Sequence, residues 1–153
     1  GKTEISIFST NSYYMEETQH YPTALPYTHG QWWQFGVKGN GDLVAIQTGP
    51  RTESKKTEVT VLSAASKYQR ISLKTKTPLS LTLPIHIRFL ANWRGDLVCV
   101  YRGAGTGSGR TEVHVVSARS RYRRWVLHTA TALHYTNSGR WEFGLRGNGD
   151  IVG

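Results

Sequence analysis

The chain alternates apolar and polar residues in short runs that are separated by turn-forming residues. Between residues 32 and 75 these runs are WWQFGVK (32–38), DLVAIQT (42–48), TEVTVLSA (57–64) and QRISLKT (69–75). Such alternation is typical of β-strands with one buried face, and no window sustains the 3.6-residue period of an amphipathic helix. We therefore predict an all-β protein with almost no helix and four strands in each structural unit.

The same pattern recurs every 54 residues without gaps. Positions with the same residue in all three copies include Thr3, Thr57 and Thr111; Phe35, Phe89 and Phe143; and Gly41-Asp42, Gly95-Asp96 and Gly149-Asp150. A fixed period marks a repeat architecture, in which each unit buries its apolar face against its neighbours. We predict a single repeat domain over residues 1–153, with copies at 3–56, 57–110 and 111–153.

Two closed architectures use about 50 residues and four strands per unit, the β-propeller blade and the β-trefoil lobe. The chain ends with strands one and two of a unit, over residues 141–152, whereas its N-terminal segment, over residues 3–20, resembles strands three and four. We expect a β-propeller with three blades per chain, closed to six by a homodimer in which each junction blade is shared between two chains. A monomeric β-trefoil is the alternative.

Composition and charge narrow the function classes. No apolar stretch approaches the length of a membrane span, so we expect no membrane insertion. No N-terminal segment has the layout of a signal peptide. We expect a mature secreted protein or one that is exported by a non-classical route. Cys99 is the single cysteine, and its place in the predicted strand over residues 96–100 indicates a buried thiol rather than a reactive one.

The net charge of +9 favours anionic partners in general. The densest basic run contains Arg119, Arg121, Arg123 and Arg124, but the first copy has Asn11, Tyr13, Met15 and Glu16 at these positions. A function carried by every copy would not change its charge in this way. We interpret the run as a variable solvated surface and do not expect nucleic acid as the partner, although a basic scaffold for anionic polymers stays the competing function.

A glutamate and a tyrosine recur in every copy and are candidate binding residues. The glutamate is unusual because Glu is depleted in strands, so it is expected to hold a specific donor or a ligand. The tyrosine has two interpretations, a core residue with a bonded hydroxyl or a residue that faces a site between blades. These positions are Glu4, Glu58 and Glu112, and Tyr14, Tyr68 and Tyr122.

The segments FGVKGNGDLVAI (35–46), TEVTVLSAASKYQ (57–69), GTGSGRTEVHVVSA (105–118) and LHTATALH (127–134) together resemble the β-propeller lectins of mushrooms and sponges. That resemblance covers nearly the whole chain. It implies a six-bladed ring with shallow sites between adjacent blades that recognise terminal N-acetylglucosamine. It also implies a protein without catalytic activity.

The chemistry of sugar recognition suggests further site residues. Aromatic faces pack against the C–H surfaces of sugars, and polar side chains bind their hydroxyl and amide groups. Candidates of both kinds lie near the start of the first strand or after the fourth: Trp33, Trp141, His29, Arg140, His134 and Tyr135. The middle copy has Ile87 in place of the tryptophan, so a site that uses these positions would be altered there.

We expect no cofactor, no metal ion and no enzymatic activity. The histidines fall at different phases of the repeat except for His20 and His128, which argues against a metal cluster carried by the repeat. No catalytic pairing of Ser or Cys with His recurs in the copies. The function that we predict is multivalent binding of glycans.

Overall fold

The computed structural model describes residues 1–26, 28, 30–50, 52–80, 86–102, 106–134 and 141–153. These residues form an all-β structure with three single 3-10 turns, Thr10–Ser12, Gly30–Trp32 and Ala64–Ser66. The strands are β1 (Lys2–Phe8), β2 (Glu17–Pro26), β3 (Trp33–Val37), β4 (Leu43–Gln47), β5 (Lys56–Leu62), β6 (Ile71–Ser80), β7 (Ile87–Ala91), β8 (Leu97–Tyr101), β9 (Arg110–Val116), β10 (Trp125–His134), β11 (Gly144–Leu145) and β12 (Ile151–Val152). The all-β prediction is confirmed. No helix among the described residues is long and apolar enough to cross a membrane.

The strands form antiparallel sheets in chain order. Strands β3 to β6 make the first sheet and β7 to β10 the second sheet, each with the strand order of the sequence. Strands β1 and β2 form an N-terminal pair, and β11 and β12 form a C-terminal pair. Four strands per unit, as predicted, are therefore present in both complete sheets.

The main core lies between the two four-stranded sheets. Alternate residues of β4 and β5, among them Val44, Ile46 and Val61, pack against Phe89 and Cys99 of the second sheet. Each such side chain stabilises the fold by roughly 1.5–3 kcal/mol. Cys99 is fully buried and unpaired, as its sequence context predicts.

A second core lies on the other face of the first sheet. Leu43, Ala45 and Leu62 are buried there against Leu25 of β2, with Ile5 of β1 packed beside them. The N-terminal pair, the first sheet and the second sheet are therefore layered in the order of the sequence.

The first strands of the two sheets lie close together at one edge of this stack. The Gln34 side chain donates to the carbonyl of Ile87 at 3.1 Å and accepts from the N–H of Phe89 at 2.9 Å. A side chain at Gly36 would place its Cβ 2.8 Å from the Cβ of Ala91, so the approach requires glycine. Adjacent units thus meet through β3 and β7.

The recurrent Gly-Asp pair has a structural role in both complete sheets. The Asp42 carboxylate accepts the N–H of Ala64 at 2.9 Å, and Asp96 accepts the N–H of Ala118 at 2.8 Å. These donors lie in the connection between the third and fourth strands, so the aspartate ties two loops of one sheet together.

The recurrent tyrosine belongs to the same network in the complete sheets. Tyr68 and Tyr122 are buried, and their hydroxyls donate to the carbonyls of Gly41 and Gly95 at 3.2 and 2.8 Å. Burial raises the pKa of Tyr122 above its usual range. Of the two interpretations left open by the sequence, these two residues fit the core one.

Candidate functional site

A cleft of about 340 Å³ opens between the N-terminal pair and the first sheet. We call it the first cleft. Its lining combines two indoles, several polar side chains and three apolar ones: Leu25, Pro26, Trp32, Trp33, Gln47, Glu53, Glu58, Thr60, Ile71 and Lys74. The first cleft therefore lies between two successive repeat units and receives side chains from both.

The two tryptophans are held in place by the local backbone. Trp32 ends the turn Gly30–Trp32, and its carbonyl accepts the N–H of Thr48 at 3.0 Å. A side chain at Gly49, whose φ is +95°, would overlap the Trp32 ring, so the indole lies against bare backbone. Trp33 begins β3 and stacks on Phe35, with ring centroids 6.3 Å apart and planes 13° apart. The ring that the sequence proposed as a platform is thus half-buried at the rim of the cleft.

Glu58 supplies a fixed carboxylate in the first cleft. It lies on β5 and is buried, and its Oε1 accepts the N–H of Ser54 at 2.8 Å. Lys74, on the neighbouring strand β6, has its Nζ 3.6 Å from Glu53 Oε2. Acceptors and donors thus surround an aromatic surface, which suits a polar ligand that also has an apolar face.

The other predicted residues are distributed over several places. Tyr68 and Tyr122 lie at the opposite end of the sheets from Glu58 and Glu112, beside the Gly-Asp hairpins, and take no part in the first cleft. Glu4 lies on the exposed side of the N-terminal pair, where its Oε2 is 3.3 Å from His20 Nε2.

In the C-terminal region Trp141 is partly exposed, and its carbonyl accepts a hydrogen bond from the Arg102 guanidinium. His134 ends β10, and its carbonyl accepts the Thr111 hydroxyl at 3.1 Å. The predicted site residues His29, Tyr135 and Arg140 lie outside the described residues.

The equivalent position in the second sheet carries different chemistry. Glu112 occupies the place of Glu58, and its Oε2 lies 3.3 Å from His114 Nε2 and 3.2 Å from His128 Nε2. Its Oε1 accepts both the N–H and the hydroxyl of Ser108, at 3.0 and 2.7 Å. The hydrogen bond from the Ser108 hydroxyl, with smaller contributions from the Ser108 N–H and the histidines, lowers the pKa of Glu112 to about 2.

Aromatic rings surround His114 in this cluster. Its ring centroid is 4.5 Å from Tyr101, 5.2 Å from Trp125 and 3.8 Å from His128. Burial lowers the pKa of His114. Ile87, which replaces the tryptophan of the first cleft, is fully buried. The second sheet thus places two imidazoles beside the recurrent glutamate, where the first cleft has Thr60 and Lys74.

The repeat pattern does not reveal this cluster, because His114 and His128 lie at different phases of the repeat. His114 and His128 are directly opposite each other in the register of β9 and β10, and Glu112 precedes His114 by two positions on the same face. The sequence does contain one indication of the cluster. Glu112 and His114 alternate on one predicted strand, and the next strand carries His128.

Comparisons with protein-family models, curated proteins and solved structures found no match to this chain.

Proposed function

We propose that this protein is a multivalent carbohydrate-binding protein without catalytic activity, which recognises glycans with terminal N-acetylglucosamine on a six-bladed β-propeller made of two chains. The first cleft is the observation that carries this proposal. It lies between two repeat units and combines Trp33 with the polar side chains of Glu58 and Lys74.

The chemistry of the cleft fits one sugar residue. Its volume is near the lower end of the roughly 300–1,000 Å³ that ligand pockets span. The Trp33 face suits the C–H surface of a pyranose, and Glu58 and Lys74 offer an acceptor and a donor to hydroxyl groups. An acetamido group adds a donor, an acceptor and a methyl group that the nearby Leu25 and Ile71 can contact. A single cleft of this kind binds weakly, and several on a rigid ring raise avidity by about 10²-fold or more.

The proposed six-bladed ring is supported by aromatic side chains that are exposed at the end of the stack where the N-terminal pair lies. Tyr14 is 65% exposed, whereas its equivalents Tyr68 and Tyr122 are buried. Phe35 is 42% exposed, although its equivalent Phe89 is buried against the preceding unit. Both positions lack the neighbour that the same residues have in the interior of the stack.

The opposite end of the stack is bare in the same way. Leu133 on β10 is 40% exposed, whereas Leu25 and Leu79, its equivalents on β2 and β6, are buried. Strands three and four of a unit would cover Leu133, and strands one and two would cover Phe35. A second copy offers both, since its N-terminal pair resembles strands three and four and its C-terminal pair resembles strands one and two.

The register of the complete sheets specifies how the two pairs would join. In the first sheet Leu43 of β4 lies opposite Leu62 of β5. The equivalent positions put Ile151 of one chain opposite Phe8 of a second copy, with β12 and β1 antiparallel. The Asp150 carboxylate would then accept the N–H of Thr10, just as Asp42 accepts that of Ala64.

The mass in solution tests the ring. We expect twice 17.2 kDa by light scattering at micromolar concentration. Val152→Lys, which places a charge on the joining strand β12, should give monomers because the charge would be buried in the shared sheet. Val126→Lys is the control on the exposed strand β10 and should leave the dimer intact. A wild-type chain that stays monomeric would refute the ring and favour the β-trefoil.

Binding to an immobilised glycan with terminal N-acetylglucosamine tests the cleft. Trp33→Ala should weaken binding at least about tenfold, because stacking on an aromatic face is lost. Trp93→Ala is the matched control, since Trp93 is exposed on the β7–β8 hairpin and takes no part in the first cleft. Equal binding by both variants would exclude the cleft, and failure of free N-acetylglucosamine to compete would refute the proposed specificity.

A second candidate function rests on a basic groove. Arg119, Arg121, Arg123 and Arg124 line it together with the partly exposed Trp125, a combination that suits a sulfated glycan or a nucleic acid. The dependence of binding on salt concentration distinguishes the two candidate functions. Binding of an anionic polymer should fall steeply between 50 and 200 mM salt, by roughly 10³-fold for six phosphate contacts, whereas binding of a neutral sugar should change little.

A further inference from the structure

We propose that Glu112, His114 and His128 bind a divalent transition-metal ion, zinc foremost, and leave one coordination position open. We call these residues the metal cluster. The proposal is independent of sugar binding, since it rests on the geometry of the second sheet alone.

The distances within the metal cluster fit tetrahedral zinc. Zn–N bonds of about 2.0–2.1 Å and Zn–O bonds of about 2.0–2.2 Å place neighbouring ligand atoms about 3.3–3.5 Å apart. Glu112 Oε2 lies 3.3 Å from His114 Nε2 and 3.2 Å from His128 Nε2. All three ligand atoms lie within 4.8 Å of one another.

The backbone holds the three ligands on one face. His114 and His128 are paired across β9 and β10, and their Cβ atoms in such a pair are about 4.5–5.5 Å apart. Glu112 is two residues before His114 and therefore points to the same side of β9. Ligands on paired strands are positioned more accurately than ligands on loops.

Neighbouring groups orient the ligands. Ser108 holds Oε1 of Glu112 with two hydrogen bonds, which leaves Oε2 directed toward the imidazoles. Tyr101 and Trp125 pack against the ring of His114. Outer groups that fix a carboxylate or an imidazole in this way are typical of metal centres.

The ligand set selects the kind of ion. Two imidazoles with one carboxylate suit zinc, copper or nickel, whereas calcium and magnesium prefer oxygen ligands. Three protein ligands leave the fourth tetrahedral position for water or for an oxygen of a bound molecule.

The other copies differ at the same positions. The first sheet has Thr60 and Lys74 where the second has His114 and His128, and the lysine ammonium would repel a cation. The N-terminal pair has His20 beside Glu4, but Ser6 stands in place of the second imidazole. We therefore expect one ion per chain.

Calorimetric titration of untagged, chelator-treated protein with zinc chloride tests the proposal. We expect one ion per chain and dissociation in the micromolar range or tighter. His128→Ala should weaken binding at least tenfold, and its fold should be preserved because His128 is exposed. His114→Gln should have the same effect. His20→Ala, which removes the histidine at the same repeat phase in the N-terminal pair, should bind as the wild type does.

Cobalt provides a second readout. A tetrahedral site should give the intense visible absorption of four-coordinate cobalt, and His128→Ala should abolish it. The proposal is overturned if zinc does not bind more tightly than about 100 µM, or if it binds equally well to the His128→Ala and His114→Gln variants. Circular dichroism of each variant verifies that the sheets are intact.

Discussion

Glu58 and Glu112 occupy the same position in two successive units and have the same backbone role. Each is buried, and each accepts the N–H of the serine four residues earlier, Ser54 at 2.8 Å and Ser108 at 3.0 Å. This bond closes the loop before the third strand. In these two units the fold accounts for the glutamate without a ligand.

The surroundings of the two carboxylates are different. Glu58 faces a cleft with Trp33 and Lys74, whereas Glu112 has both histidines within 3.3 Å of its Oε2. The repeat thus fixes a carboxylate in space, and two positions, one on its own strand and one on the neighbouring strand, place different groups beside it. We expect those two positions to determine which ligand the carboxylate can bind.

The largest effect should come from moving the histidines into the first sheet. Thr60 and Lys74 are paired across β5 and β6 in the same register as His114 and His128. The double variant Thr60→His, Lys74→His should bind a second zinc ion, so that the stoichiometry rises from one to two per chain. Titration calorimetry counts the ions.

The single variant Thr60→His is the control for this transplant. It should gain no second ion in the same concentration range, because one imidazole with one carboxylate leaves two ligands fewer than a tetrahedral ion needs. A double variant that still binds one ion would contradict the view that two positions determine the chemistry.

The strands were predictable because two periods are visible in the sequence. Alternation marks each strand, and the 54-residue register identifies the residues that every unit needs, such as Asp42, Tyr68 and Glu58. Packing explains why these are shared, since each ties a loop or fills a core. The recurrent positions reveal the scaffold more than the site.

The metal cluster and the shape of the first cleft were not predictable in this way. His114 and His128 are 14 residues apart and meet only because β9 and β10 pair at that register. The Trp32 ring lies against Gly49 because β3 and β4 pair in a register that no local sequence pattern specifies. Contacts of this kind depend on strand register, and a repeat comparison cannot supply it for residues that differ between copies.

Removal of either glutamate should destabilise the protein, because each carboxylate accepts a backbone N–H of the loop before its strand. Glu58→Ala and Glu112→Ala each leave a serine N–H without its acceptor, which costs about 1–3 kcal/mol of unfolding free energy. Urea unfolding of the metal-free proteins, all at the same protein concentration, measures the change in unfolding free energy. Glu53→Ala is the control, because the Glu53 side chain is 84% exposed, and should change stability by under about 0.5 kcal/mol. Destabilisation in only one sheet would show that the two loops are not equivalent.

The smallest effect concerns acid. Because the pKa of Glu112 is about 2 in the folded chain, against 4.5 ordinarily, its ionised form stabilises the fold above pH 4.5, and this contribution is lost as the pH falls toward 2. Between pH 5 and pH 4 the loss should be under about 1 kcal/mol. Glu112→Gln should lack that part of the fall, so urea unfolding of both proteins at the two pH values isolates it. An equal fall in both would show that the hydrogen bonds from Ser108 do not favour the ionised carboxylate over its protonated form.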